Sequence, residues 1–426
     1  MRVSFYTLGC KVNLYETEVV INSFKKSGYE IVSFDEEADI VVINTCTVTN
    51  NSDKKSRNII RQAVKNNKDA IIVVMGCYSQ VNKEDIKNID GVNIIIGNTN
   101  KSKVVELVEE YIKTKENNIL VEDVMHTTFE GMELDSFETK TRAFVKIQEG
   151  CNNFCSYCII PYARGNIRSK KKEDVIREIT CLTNNGYKEV VLTGIHTGHY
   201  GKDIYDYSFS DLLKELCNID KLLRIRISSI EITELDDDFL QILKNNPKIV
   251  DHIHIPLQSG CDKTLMDMNR KYTTEYFYNT ISKIRNIRPD ISITTDLIVG
   301  FPNETLEDFE STYNFLKKVN FSKIHVFPYS RRKGTPADLM DNQIEESIKK
   351  ERVKKVMEFS KELEINYMNR FLNKELDILV EKCEDGIIFG HTSNYIAIKT
   401  NGTNDDVNKI KTVIPNKVEY PIMKCI

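Results

Sequence analysis

No stretch of the 426-residue chain approaches the roughly 20 consecutive apolar residues needed to cross a bilayer, which argues against a transmembrane helix, and no membrane partner is expected. A signal-peptide pattern is missing too: MRVSFYTLGC passes from one basic residue directly into a strand-like run, so the chain is expected in the cytoplasm. Surplus positive charge is lacking, since 59 Lys and Arg face 63 Asp and Glu for a net charge of −4. A nucleic acid would therefore have to be held by a local basic patch. Tandem repeats and low-complexity segments are also missing. What is present, 41% hydrophobic and 29% charged residues, describes a chain with real cores, long enough for two or three domains. Eleven cysteines stand out. In a reducing compartment an odd number argues against a disulfide framework and for metal ligation, catalysis or burial.

The first third alternates short apolar runs, Val3–Tyr6, Ile40–Ile43, Ile71–Met75 and Val92–Ile96, with helical patterns. In Leu14–Lys26 the residues Val19, Val20, Ile21 and Phe24 supply the apolar face and Gly28 the stop. This spacing predicts parallel pairing in a doubly wound α/β domain over residues 1–115. The polar stretch 116–141 reads as a linker carrying one strand. From Ala143 the rhythm recurs six times, with strands expected at Ala143–Gln148, Glu189–Thr193, Leu223–Ser228, His252–Leu257, Ile291–Ile298 and Lys323–Tyr329. Six βα units over residues 142–372 predict a partial (β/α)6 TIM-like barrel, closed by a long charged helix at about Gln343 to Phe371, with its chemistry at the carboxyl ends of the strands. Residues 373–426 change to β-rich runs separated by Gly and Asn turns, as in a small all-β barrel of the kind nucleic-acid binders use.

Three cysteines, Cys151, Cys155 and Cys158, fall in CNNFCSYC with C-x3-C-x2-C spacing, in one loop directly after the first barrel strand. Three thiolates can grip three irons of a four-iron cluster and leave the fourth open to a small molecule. A structural zinc site with a remote fourth ligand, in a non-catalytic RNA-binding protein, is the bland alternative. A second set is scattered: Cys10 ends YTLGC, Cys46 ends VVINTC and Cys77 ends VVMGC, each just past a predicted parallel strand. The carboxyl ends of such strands line one sheet edge, so these three are expected to converge. The remaining Cys181, Cys217, Cys261, Cys383 and Cys425 show no ligand spacing, and Cys181 and Cys217 are expected in cores. His252 and His254 flank one strand and are expected as hydrogen-bonded core groups.

CNNFCSYC, with an aromatic residue, Tyr157, before its third cysteine, resembles the signature of the radical S-adenosylmethionine (SAM) superfamily. With the second triad and the β-rich tail, nearly the whole chain resembles the methylthiotransferases of that superfamily. The resemblance implies two [4Fe–4S] clusters, an auxiliary one on Cys10, Cys46 and Cys77 and a SAM-binding one on Cys151, Cys155 and Cys158. SAM bound at the open iron would be cleaved to methionine and a 5′-deoxyadenosyl radical by an electron from a donor such as flavodoxin or ferredoxin. SAM contacts are expected from Tyr157 and from the strand ends, at Thr193, Gly194, Ser228, Gln258, Ser259 and Gly300. The fifth-strand segment DLIVGFPNE departs from the family's G-x-I-x-G-x-x-E pattern, with Asp296 at the first glycine and Glu304 one place late.

The tail GIIFGHTSNYIAIKT resembles the family's TRAM domain, an RNA-binding barrel. Gly9-Cys10-Lys11-Val12-Asn13 and RAFVKIQEGCNNFCSYCIIPYARG resemble the subgroup acting on N6-threonylcarbamoyladenosine at position 37 of tRNA. The alternatives within the family are isopentenyladenosine at the same position and a ribosomal protein. An anticodon-loop partner fits the basic runs at Arg164, Arg168, Lys170, Lys171 and Lys172 and at Arg331, Arg332 and Lys333, which are expected to meet phosphates. A target base in such a loop is single-stranded and can be splayed into the barrel.

Overall fold

The computed structural model describes residues 1–134, 141–204 and 207–425. Its first sheet has six parallel strands: β1 (Arg2–Thr7), β2 (Glu30–Val32), β3 (Ile40–Thr45), β4 (Ile71–Gly76), β5 (Val92–Ile96) and β6 (Asn118–Leu120), in the order β2-β1-β3-β4-β5-β6. IVVINT and IIVVMG are buried at every position, because a central parallel strand has helices on both faces. Separate apolar clusters, one around Val42, Val73 and Phe24 and one around Ile43, Val74 and Tyr78, fill the two faces. Helix α1 spans Lys11–Lys26, so it begins three residues earlier than its apolar pattern, directly behind Cys10. Strand β6 pairs with β5 past residue 115, so the sheet continues into the stretch expected as linker.

The second body carries the six expected strands in parallel and in sequence order: β7 (Arg142–Lys146), then, after the antiparallel ribbon of β8 (Gln148–Glu149) and β9 (Arg168–Ser169), β10 (Glu189–Thr193), β11 (Arg224–Ile227), β12 (His252–His254), β13 (Ser292–Val299) and β14 (Lys323–Pro328). They form two runs of three, β7-β10-β11 and β12-β13-β14, joined by a parallel bridge between Ile225 and Ile249. The β8–β9 ribbon, unforeseen from the sequence, closes the base of the loop that holds Cys151, Cys155 and Cys158. One large apolar cluster lies between the strands and their outer helices. The long helix is Glu346–Asn369, shorter at both ends than its charge pattern implied.

The C-terminal body is a sheet of β15 (Leu376–Glu384), β16 (Ile387–Thr392), β17 (Ala397–Asn401), β18 (Ile410–Val413), β19 (Lys417–Glu419) and β20 (Ile422–Lys424), antiparallel except for the β17–β20 pair. It docks on the amino-terminal ends of the barrel strands. Arg224 donates to Asp377 O at 2.7 Å and to His391 O at 3.2 Å, and Asp251 N donates to Ser393 Oγ at 2.9 Å. No helix among the described residues is long and apolar enough to cross a membrane.

Candidate functional site

A cavity of about 1200 Å3 runs through the barrel from the loops at its carboxyl edge to the C-terminal sheet. Cys10, Cys151, Cys155 and Cys158 line it, together with Tyr157, Thr193, Gly194, Ser228 and Gln258. Cys46 and Cys77 stand behind Cys10, both buried. Glycine brings the three N-terminal thiols together. At Gly9, with φ +104°, a Cβ would lie 3.0 Å from Cys46 Cβ, and at Gly76, with φ +103°, it would lie 2.4 Å from Asn44 Oδ1. Asn13 locks the junction by donating from Nδ2 to Leu8 O at 2.7 Å and Thr45 O at 3.0 Å.

The second loop is held as tightly. Cys151 N donates to Gly165 O at 3.0 Å, Ser156 N to Met268 O at 3.0 Å, and Asn269 Nδ2 to Phe154 O at 3.0 Å. Each triad has a guanidinium against one sulfur: Arg164 Nε lies 3.1 Å from Cys77 Sγ, and Arg270 Nη1 lies 3.3 Å from Cys155 Sγ while pairing with Glu231. Burial pushes the Cys46 and Cys151 thiols up to about 11 and Cys158 to about 12, and it raises Cys10 against the lowering effect of Arg164. Desolvated thiols beside fixed cations suit a bound metal, which holds sulfur as thiolate and supplies the balancing charge.

The donor set fits iron–sulfur clusters better than zinc. A zinc ion with bonds of about 2.3 Å draws tetrahedral sulfurs to roughly 3.8 Å of one another. Among the described residues the one group of three ligand atoms within 4.8 Å of one another is His196, His199 and Glu234, and neither cysteine triad is that compact. His196 stacks on His199 at 3.4 Å, His199 Nε2 lies 2.9 Å from Glu234, and His196 Nδ1 is 3.7 Å from Cys151 Sγ. Burial and the neighbouring His199 pull His196 down to about 3, so it is neutral, and its Nε2 has no partner within the protein. Sequence reasoning missed His196, Arg270 and Glu231; only the adjacency of His196 to Thr193-Gly194 hinted at the first.

Two expected SAM contacts stand apart from the cavity lining. Ser259 Oγ is buried against Thr312 Oγ1 at 3.2 Å, and Gly300 N donates to Glu304 Oε1 at 2.9 Å. A Cβ at Gly300 would lie 2.2 Å from Lys349 Cγ, so that glycine answers to helix packing. Glu304 itself is buried and paired with Arg352.

The basic residues require the largest correction. Arg164 is fully buried, with Nη1 2.7 Å from Glu16 Oε1 and 3.0 Å from Glu149 Oε2. Lys101 and Lys146 complete this buried cluster on the same two carboxylates. Arg168 is spent on Val124 O and Arg164 O, Lys170 on Glu178, and Arg332 on Asp53 at 2.7 Å. None of these four can reach a phosphate without breaking the fold. Lys171 and Arg331 are exposed, the latter paired with Asp338. Cys217 is buried as expected, whereas Cys181 is half-buried.

His252 and His254 both hydrogen-bond Thr294 Oγ1, at 3.1 and 2.9 Å, as expected of core groups, but both also line the cavity.

A six-stranded parallel half-barrel with three cysteines in the loop after its first strand defines a radical SAM protein. Residues 145–316 match the model of the radical SAM superfamily, and residues 2–97 match that of an uncharacterized protein family, UPF0004. The chain is 45% identical to the threonylcarbamoyladenosine tRNA methylthiotransferase MtaB of Bacillus subtilis over 98% of its own length and 94% of that protein. It is 41% identical to the protein of the same name from Aquifex aeolicus, over 97% and 100%. The tRNA-2-methylthio-N(6)-dimethylallyladenosine synthase of Alkaliphilus oremlandii is 35% identical over 96% and 88%. The fold is shared with the radical S-adenosylmethionine methyltransferase TsrM of Kitasatospora setae, solved with cobalamin and a [4Fe–4S] cluster bound, at a TM-score of 0.58 and 14% identity over 79% and 76% of the two chains. The chain belongs to the radical SAM methylthiotransferase family, whose members use SAM and [4Fe–4S] clusters.

Proposed function

We propose that this enzyme converts N6-threonylcarbamoyladenosine at position 37 of tRNA to its 2-methylthio derivative. One observation carries the reading: a thiol of the first triad, Cys10, and all three of the second open into one cavity. Substrate placed there meets both centres at once. Identity to proteins named for threonylcarbamoyladenosine runs from 45% and 41% down to 35%, against 35% for those named for dimethylallyladenosine, and the upper end supports the choice of base. Cys10, Cys46 and Cys77 would hold the auxiliary cluster, and Cys151, Cys155 and Cys158 the cluster that binds SAM. When bound, these groups would supply the one-electron cleavage of SAM and an open iron to carry the sulfur to be transferred.

The chain's own residues prepare the place. Arg164 and Arg270 hold positive charge against a sulfur of each triad, and Tyr157, Thr193, Gly194, Ser228 and Gln258 shape the wall available to SAM. The barrel strands and the docked C-terminal sheet wall the cavity, and a substrate filling it would displace water from around a reactive radical. In the same reading the first domain, extended through β6 to Leu120, holds the auxiliary cluster, residues 142–372 are the radical SAM core and 373–426 a TRAM domain that binds RNA. The enzyme works in the cytoplasm with a flavodoxin or ferredoxin as reductant, and eleven unpaired cysteines suit that compartment. Mass spectrometry of nucleosides from tRNA treated with the anaerobically reconstituted enzyme tests the proposal. The 2-methylthio derivative of N6-threonylcarbamoyladenosine is the expected product, and its absence, with another nucleoside thiolated, would sink the assignment.

A further inference from the structure

The carboxylates on the cavity wall are already paired. Glu231 is held by Arg270 and Glu364 by Lys323 at 3.0 Å, while Asp296 lies 3.2 Å from His254 Nε2. Toward the floor, Glu189 holds Arg226 at 2.7 Å, and Arg142 is taken by Glu381 at 3.1 Å. Lys11 lines the same cavity beside Cys10, and no ion pair among the described residues includes it. Burial weighs on it most, then Arg226 and Arg142, ahead of Cys10 and Glu189, and its own charge is felt at His252 and His325. An ammonium set among guanidinium and imidazole groups, partly desolvated and lacking a carboxylate, is an unmet demand for an anion.

We propose that Lys11 receives the free carboxylate of the threonyl group on the substrate's N6-threonylcarbamoyl substituent, making it the residue that selects an acidic purine substituent. This rests on the substrate reading above. An apolar substituent would displace water from the ammonium and return no charge, and a site built around a polar partner rejects an analogue that lacks it.

Reconstituted enzyme is assayed on an anticodon stem-loop RNA carrying N6-threonylcarbamoyladenosine and on the same RNA with that carboxylate as its methyl ester. The ester should lower wild-type kcat/KM on the order of 10- to 100-fold. Lys11→Gln should lose a similar factor on the acid and almost nothing further on the ester, while Lys11→Arg retains most of the activity. Equilibrium binding of the two RNAs should give the same pattern, which keeps the test independent of iron loading beside Cys10. Equal use of acid and ester by the wild type overturns the proposal. So does an ester penalty that is as large in Lys11→Gln as in the wild type, which would place the carboxylate elsewhere and give Lys11 to a phosphate. A wild type that thiolates neither RNA but acts on another tRNA refutes the substrate reading instead.

Discussion

Cys155 and Cys46 belong to triads with separable duties, so their loss should read out differently. Removing Cys155 leaves the SAM-binding centre with two thiols, and Cys155→Ala is expected to abolish 5′-deoxyadenosine formation while the protein stays folded. Cys46→Ala should keep 5′-deoxyadenosine formation and lose the methylthio product; thiolation by that variant would disprove its ligand role. Arg164 acts on a third scale of energy. Burial opposes ionisation of Glu16, but Arg164, Lys101 and Lys146 outweigh it and hold that carboxyl well below the usual range. Removing the guanidinium strands Glu16 and Glu149 in a dry interior. Arg164→Met should cost about 3–5 kcal/mol in denaturant unfolding, as for other broken buried pairs. Three cations on two carboxylates also leave one positive charge over, and it faces Cys77 Sγ at 3.1 Å.

Among elements, the loop between β8 and β9 depends most on backbone geometry. Gly150 precedes Cys151 with φ +72°, and a Cβ there would lie 1.9 Å from Asn166 O. That contact is with backbone and cannot relax through a side chain. Gly150→Ala is expected to lower iron bound at Cys151, Cys155 and Cys158 by about half while the N-terminal triad still loads, as total iron and cluster absorbance will show. Spectra identical to wild type would mean that the loop tolerates displacement. Sequence periodicity located the strands on either side of this loop but not the ribbon that closes it, because two-residue strands leave no pattern.

For the molecule as a whole, a few buried arginines sit where the bodies meet, Arg224 and Arg226 at the C-terminal sheet and Arg332 at the first domain. Burial raises Glu189, yet Arg226, with Arg142 and Arg224, overrides this and holds it below its usual value. The stability it contributes is therefore complete above the ordinary carboxyl pKa and is lost as pH falls through the lowered one. Unfolding measured from pH 6 down to pH 3 should show this loss, and Glu189→Gln should remove that part of the pH dependence. Arg332 bridges the barrel to Asp53, Asn50 and Thr47 of the first body. Arg332→Ala should lower the melting temperature and leave the salt dependence of tRNA binding unchanged, whereas Arg331→Glu should reduce the salt slope by about 0.7 for one lost phosphate contact. The reverse result would return Arg332 to the RNA surface.

Cysteine spacing, the positions of the long buried strands and the change to a β-rich tail were legible in the chain alone, since each is set by residues near one another: a loop's ligands, the apolar rhythm of a buried parallel strand, the turns of a small sheet; the three-residue β2 and the order of the first sheet were not. The convergence of Cys10, Cys46 and Cys77, spread over 67 residues, was legible for a different reason: parallel strands end at one edge. Which charges meet solvent was not legible. Arg164 reads as part of an exposed basic run until Glu16, 148 residues away, folds against it, and the motif that contains Lys11 does not show that its side chain lines the barrel cavity. Long-range pairing and burial decide the use of a charge, and neither leaves a mark on the residues beside it.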